Sequence, residues 1–252
     1  LPTTKTFAFY HKSKIEYFTD STVIYLNNPV NCPLRYFLKS NNQSIKKLLN
    51  QYDTITLKPL SDSIIVIRHK NFILKEKIIL KNKYGNPRIP INKYPISLPF
   101  KTNTKYKVIQ GYNGIYSHNH IGSLYAIDFN LRIGDTICAS DNGYVVGVID
   151  CYSENGDREW TDYANYITIY HPKSNLFTQY VHLDKNGSLV KQGDTIKTGQ
   201  PIAISGYTGF TNHPHLHFNV KCATDSNWIS QKVNFIEGYK GIDLKKNTIV
   251  KK

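Results

Sequence analysis

Short apolar runs punctuated by Gly, Pro, Asn and Asp recur along the whole chain. Runs of this kind with period-two alternation read as strands, and the punctuation reads as turns. In the first third they fall at 15–18, 22–26, 34–38, 54–57, 63–68 and 78–80. One stretch, 44–51, carries a helical pattern with Asn42 or Ser44 as its N-cap. Tyr84-Gly85-Asn86-Pro87 punctuates like a hairpin turn. This spacing predicts a small β-sandwich over residues 1–100. Its last part, 90–99, holds Pro90, Pro95 and Pro99 and reads as a linker.

The second part is again a succession of strands and glycine turns. Strands are predicted at 104–110, 125–129, 136–140, 144–151, 165–171 and 176–182, with shorter pieces at 189–194, 196–200 and 202–206. The stretch 153–162 is polar and reads as an exposed loop. A final strand is predicted within 212–221, after which the pattern fades into a polar C-terminal extension, 223–252. The fold class is therefore all-β, with three segments: 1–100, 101–222 and 223–252.

Composition narrows the partners. The formal net charge is +14, with lysines spread along the chain, which suits a polyanion or a merely soluble surface equally well. No element that reads nucleic acid is recognisable. No run of about 18 apolar residues is present, so no transmembrane helix is predicted. The chain opens at Leu1 and contains no Met, as a removed signal peptide or an excised fragment would leave it. The cysteines Cys32, Cys138, Cys151 and Cys222 form no C-x-x-C pair; two disulfides in any of three connectivities remain open.

Seven of the nine histidines lie in the second part, which assigns the chemistry to it. On the strand containing Pro214-His215-Leu216-His217-Phe218, His215 and His217 point the same way because alternate side chains share a face. Asp128 interrupts the apolar run Tyr125-Ala126-Ile127-Asp128-Phe129, and a carboxylate there is costly to bury unless paired or bound to a metal. A hydrolytic zinc site needs three protein ligands and an open position. The candidates are a histidine before Asp128, Asp128 itself and one of the C-terminal pair. The remaining histidines are then free for proton transfer. His11, His69, His171 and His213 read as surface or core residues without a role.

These segments, taken in order, resemble the LytM/lysostaphin-type zinc endopeptidases, peptidase family M23. The resemblance is carried by Ser117-His118, Tyr125–Phe129, Gly134-Asp135-Thr136, Gly143-Tyr144-Val145-Val146, Tyr180-Val181-His182-Leu183, Gly193-Asp194, Gly206-Tyr207-Thr208-Gly209 and Pro214–Phe218, spanning about 104–221. It implies a mostly antiparallel β-sheet peptidase domain with an open groove, and Zn²⁺ as cofactor. It implies His118, Asp128 and His217 as ligands, His182 and His215 as catalytic histidines in undecided order, and Tyr180 as a substrate-side residue. His120 competes with His118 for the first ligand; the lead-in Gly111–Ser117 favours His118. The implied activity is hydrolysis of peptide bonds in the stems or cross-links of bacterial peptidoglycan, outside the cytoplasm: secreted, periplasmic or in the cell envelope. The N-terminal segment resembles the accessory domains that precede such peptidase domains. Two alternatives stand beside this: a non-catalytic relative that binds wall or activates another enzyme, and a zinc peptidase acting on proteins.

Overall fold

The computed structural model describes residues 1–5, 11–52, 54–69 and 78–252. Residues 6–10, 53 and 70–77, all within the expected N-terminal sandwich, lie outside the described set. Strands make up 43% of the chain and helix 8%, so the all-β expectation holds. The chain divides into two compact units, one ending at Asn86 and one comprising Pro87–Lys252 together with the first residues of the chain.

Among its described residues the smaller unit has two three-stranded antiparallel sheets. One orders Lys14–Tyr17, Ser21–Asn28 and Ser61–Arg68; the other orders Ile55–Leu57, Leu34–Lys39 and Ile79–Tyr84. Ser21–Asn28 buries every second side chain, as one covered face of a sheet requires. Ile24 and Leu26 thereby meet Leu34, Tyr36, Leu57 and Ile67 in one apolar cluster. The helix Gln43–Leu49 adds Ile45 and Leu49, one turn apart on one face. Asn42 is its cap, its side chain accepting from the amides of Ser44 and Ile45.

The larger unit is dominated by a nine-stranded sheet. Its main path runs Thr195–Ile196, Gly143–Ile149, Tyr166–His171, Leu176–Val181, Leu216–Ala223, Ile127–Phe129, Lys105–Gln110 and Ile249–Lys251. Trp228–Ser230 pairs beside Leu216–Ala223 off that path. A second, three-stranded sheet of Thr136–Cys138, Leu183–Ser188 and Pro201–Ser205 closes over one face. Phe100, Phe129, Ile137, Ile169, Tyr180, Ile202 and Phe218 fill the core between them.

Two expectations change here. The stretch 90–99 is not a free linker: Leu98 and the adjoining Phe100 are fully buried, Ile96 bridges Phe235, and the Ser97 amide donates to Ser140. Nor is 223–252 a loose extension. Val233, Phe235, Leu244 and Val250 are core residues, and Ile249–Lys251 supplies a strand beside Lys105–Gln110. Lysines on the outward face hide that apolar set in a polar average. The four cysteines are free thiols, Cys151 exposed and the other three buried.

Candidate active site

The centre of the large sheet positions two of the chemical groups. Leu216–Ala223 pairs Ile127–Phe129 with His217 directly opposite Asp128. Side chains directly opposite on one face of an antiparallel pair approach closely. His217 Nδ1 accordingly lies 2.8 Å from Asp128 Oδ1. The strand begins at Leu216, so His215 sits just before it, yet its Nε2 still points at Asp128 Oδ1, 3.8 Å away.

His118 arrives from the turn-rich segment after Lys105–Gln110. That segment is not extended, so His118 and His120 do not share a face. His118 is fully buried and His120 is exposed. His118 Nε2 stands 3.1 Å from Asp128 Oδ1 and 3.1 Å from His217 Nδ1. Its Nδ1 donates to the carbonyl of Gly111 at 2.8 Å, which fixes the tautomer and leaves Nε2 as the electron-pair donor. Gln110, which sequence reading passed over, donates from Nε2 to Asp128 Oδ2 at 2.9 Å and to Ser117 Oγ at 2.8 Å. Its only sequence signal was its place at the end of a strand.

Among the described residues, His118, Asp128 and His217 form the one group of three ligand-type side chains close enough to hold a metal ion. Ligand atoms about 2.0–2.1 Å from one ion at tetrahedral corners stand roughly 3.3 Å apart. The separations of 2.8–3.1 Å here are close to that. Two imidazole nitrogens and one carboxylate oxygen are also the donor types zinc accepts, so the residues fit the implied ion.

The electrostatics follow from this crowding. Burial pushes the Asp128 carboxyl up, but His118, His215 and His217 outweigh it and hold it well below the usual carboxylate range. Burial lowers His118, while the Asp128 charge and hydrogen bond raise it to a net upward shift. His217 is pushed down to about 4, chiefly by burial.

His182 and His215 stand together at the side of this group, ring centroids 4.5 Å apart. His182 Nδ1 donates to the Thr208 carbonyl at 2.7 Å, and His215 Nδ1 to the His213 carbonyl at 3.0 Å. In both rings Nε2 is thereby left as the basic atom. Burial, with His215 and His217 nearby, lowers the His182 pKa well below the usual imidazole value, which keeps that ring neutral. The Thr208 carbonyl reaches His182 through the tight turn ending at Gly209, which has φ 81° and would place a Cβ 2.5 Å from that of Ala164.

Asp128, His182, His215 and His217 line a groove of about 1330 Å³, whose walls also carry Gln179, Val181, Tyr116 and Phe210, while His118 is buried behind them. Tyr116 stacks on Phe210 at 5.0 Å. Tyr180 is a correction. It is fully buried on the opposite face of its strand, where its hydroxyl accepts the Ser140 amide at 2.8 Å and its ring packs on Phe218. His171 is likewise a core residue, bonded to the Asn142 carbonyl and to Thr178.

Residues 122–229 match the family model described as Peptidase family M23; the matched stretch holds Asp128, His182, His215 and His217 and begins beyond His118. The chain is 33% identical over 132 residues to the peptidoglycan DD-endopeptidase ShyB of Vibrio cholerae, covering 51% of this chain and 27% of that protein. It is 33% identical over 132 residues to the glycyl-glycine endopeptidase ALE-1 of Staphylococcus capitis, covering 50% and 32%. The chain thus spans about a third or less of the length of these relatives. The solved catalytic domain of lysostaphin from Staphylococcus simulans aligns at 28% identity and a TM-score of 0.37, covering 51% of this chain and 87% of that one.

Proposed function

We propose that the chain, whose residues 122–229 match the model of peptidase family M23, is a zinc-dependent endopeptidase that hydrolyses peptide bonds in the stems or cross-links of bacterial peptidoglycan. The observation that carries the reading is the convergence of His118, Asp128 and His217 beside the imidazoles of His182 and His215 at the groove. Relatives named as peptidoglycan DD-endopeptidase and glycyl-glycine endopeptidase support the substrate class. The site of action is then outside the cytoplasm, where that polymer lies.

In this reading His118 Nε2, Asp128 Oδ1 and His217 Nδ1 hold the ion, with the Gly111 carbonyl and Gln110 orienting two of the three ligands. When bound, zinc polarises the scissile carbonyl and brings the pKa of its water toward neutrality. His182 and His215 each commit Nδ1–H to a backbone carbonyl, which leaves Nε2 as the basic atom of each ring beside the ligands. One Nε2 accepts the proton of the attacking water and, as the imidazolium, delivers it to the leaving amine; the other accepts a hydrogen bond from that water and orients it. The stretch of groove wall at Gln179 and Val181 gives an extended peptide a surface to lie against.

The test is mass spectrometry of muropeptides after digestion of purified peptidoglycan with the full chain, with and without a chelator. Chelator-sensitive products whose masses correspond to a cut peptide bond are expected. Absence of such products in zinc-supplemented digests counts against the reading.

A further inference from the structure

The strand that carries His217 continues its groove-facing side through Asn219 to Lys221. Asn219 is committed to the protein, donating to the Gly122 carbonyl and accepting from Ser230. Lys221 is different. It is half-buried on the groove floor beside His120, and burial pushes its pKa down to about 8. Among the described residues its ammonium forms no ion pair with a carboxylate and no hydrogen bond. The other cations lining the groove, Lys5, Arg158, Lys245 and Lys246, are exposed and solvated. A desolvated ammonium without a counter-charge is costly, and an incoming anion relieves the cost.

We propose that Lys221 is a substrate-binding residue that takes a carboxylate of the peptide undergoing hydrolysis, so that the groove selects acidic peptides over neutral ones. It rests on the endopeptidase reading and deepens it. Four residues of strand separate Lys221 from His217, roughly 13 Å. The carboxylate therefore lies within about four extended residues of the scissile bond. A glycine-only bridge has no side-chain carboxylate to offer there, whereas a stem peptide with acidic residues or a free C-terminus does. The geometry thus favours a stem-type cross-link.

The experiment compares the full chain with Lys221→Met and Lys221→Arg. The probe is a soluble cross-linked peptide dimer released from peptidoglycan, used as the free acid, amidated at its C-termini only, and amidated at its side-chain carboxylates only. A charge-assisted contact of this kind predicts that Lys221→Met raises KM for the free acid by about tenfold or more, with the loss in KM rather than kcat. Lys221→Arg restores most of it. One of the two amidations produces the same loss in the wild type, names the source of the carboxylate, and leaves Lys221→Met nothing further to lose. Equal loss on all three forms, or none on any, overturns the proposal. Fluorescence anisotropy of the labelled dimers separates the two readings. Acid-selective binding that Lys221→Met abolishes, without hydrolysis by the wild type, supports Lys221 and counts against the endopeptidase. Hydrolysis without selectivity does the reverse.

Discussion

His182 Nδ1 donates to the carbonyl of Thr208 at 2.7 Å, and the residue that makes this bond has a left-handed backbone, φ 67°. Histidine is among the few non-glycine residues found there with any frequency, and only where surroundings hold it. They do: the Gly206 amide bonds its carbonyl, and buried Asn165 accepts the following amide, that of Leu183. The bond fixes the tautomer, so Nε2 is left as the basic atom of the ring. His182→Ala is expected to keep its metal, read by elemental analysis, and to lose turnover by roughly 10²–10⁴-fold. The same pair of readings applies to His215→Ala.

Asp128 is the charge on which the three imidazoles converge. Asp128→Ala leaves His118 and His217 without their anion and removes one proposed ligand. Bound zinc is expected to fall far below one per chain, with a lowered Tm and no chelator sensitivity. Gln110→Ala is expected to be milder. It removes the donor to Asp128 Oδ2 and weakens zinc affinity by about 10–100-fold, measurable by competition with a chromophoric chelator.

The metal-free protein is expected to lose stability as pH falls from about 6.5 toward 4. His217 has a folded pKa of about 4, below its ordinary 6.5, so in this window the unfolded chain binds the proton and the folded chain does not. His182 shifts in the same direction. Each such group contributes a slope of up to about 1.4 kcal/mol per pH unit. His118 is shifted upward, so its contribution is complete below 6.5, adds no slope in this window and is lost only as pH rises through its folded pKa. Asp128 adds a further loss only at lower pH, beneath the usual carboxylate range. Tm against pH in chelator checks this, and a flat profile between 6.5 and 4 contradicts it.

Tyr180→Phe separates core from groove. The hydroxyl accepts the buried Ser140 amide, so its loss is expected to cost stability on the order of 1–3 kcal/mol by denaturant titration. KM is expected to stay within about twofold, because the ring faces away from the substrate.

The misplacement of Tyr180 shows where sequence reading stops. Gln179 and Val181 face the groove, so strict alternation sends Tyr180 to the core and His182 after it. The left-handed residue breaks that period and returns the His182 ring to the groove, an event period-two patterning does not encode. Asp128 and His217 were legible because a carboxylate and an imidazole in apolar strands have few other uses. His118 was legible only by resemblance, since the turns around it carry no period. Gln110 acts through a partner distant in sequence, and Lys221 looks like any lysine until its burial is seen. The packed course of 223–252 was hidden because its core residues are spaced irregularly among lysines.

The strand Lys105–Gln110 lies between Ile127–Phe129 and the last strand of the chain, Ile249–Lys251. A growing chain that has delivered only the residues through Ser230 can pair one side of that strand and leaves the other bare. An unpaired strand edge is the least protected part of a sheet, and pairing between distant segments is the slow part of folding. The strand that ends in Gln110 therefore gains its second neighbour only after the whole stretch 111–248 has been made, which ties assembly of the proposed metal-holding wall to a segment far along the chain.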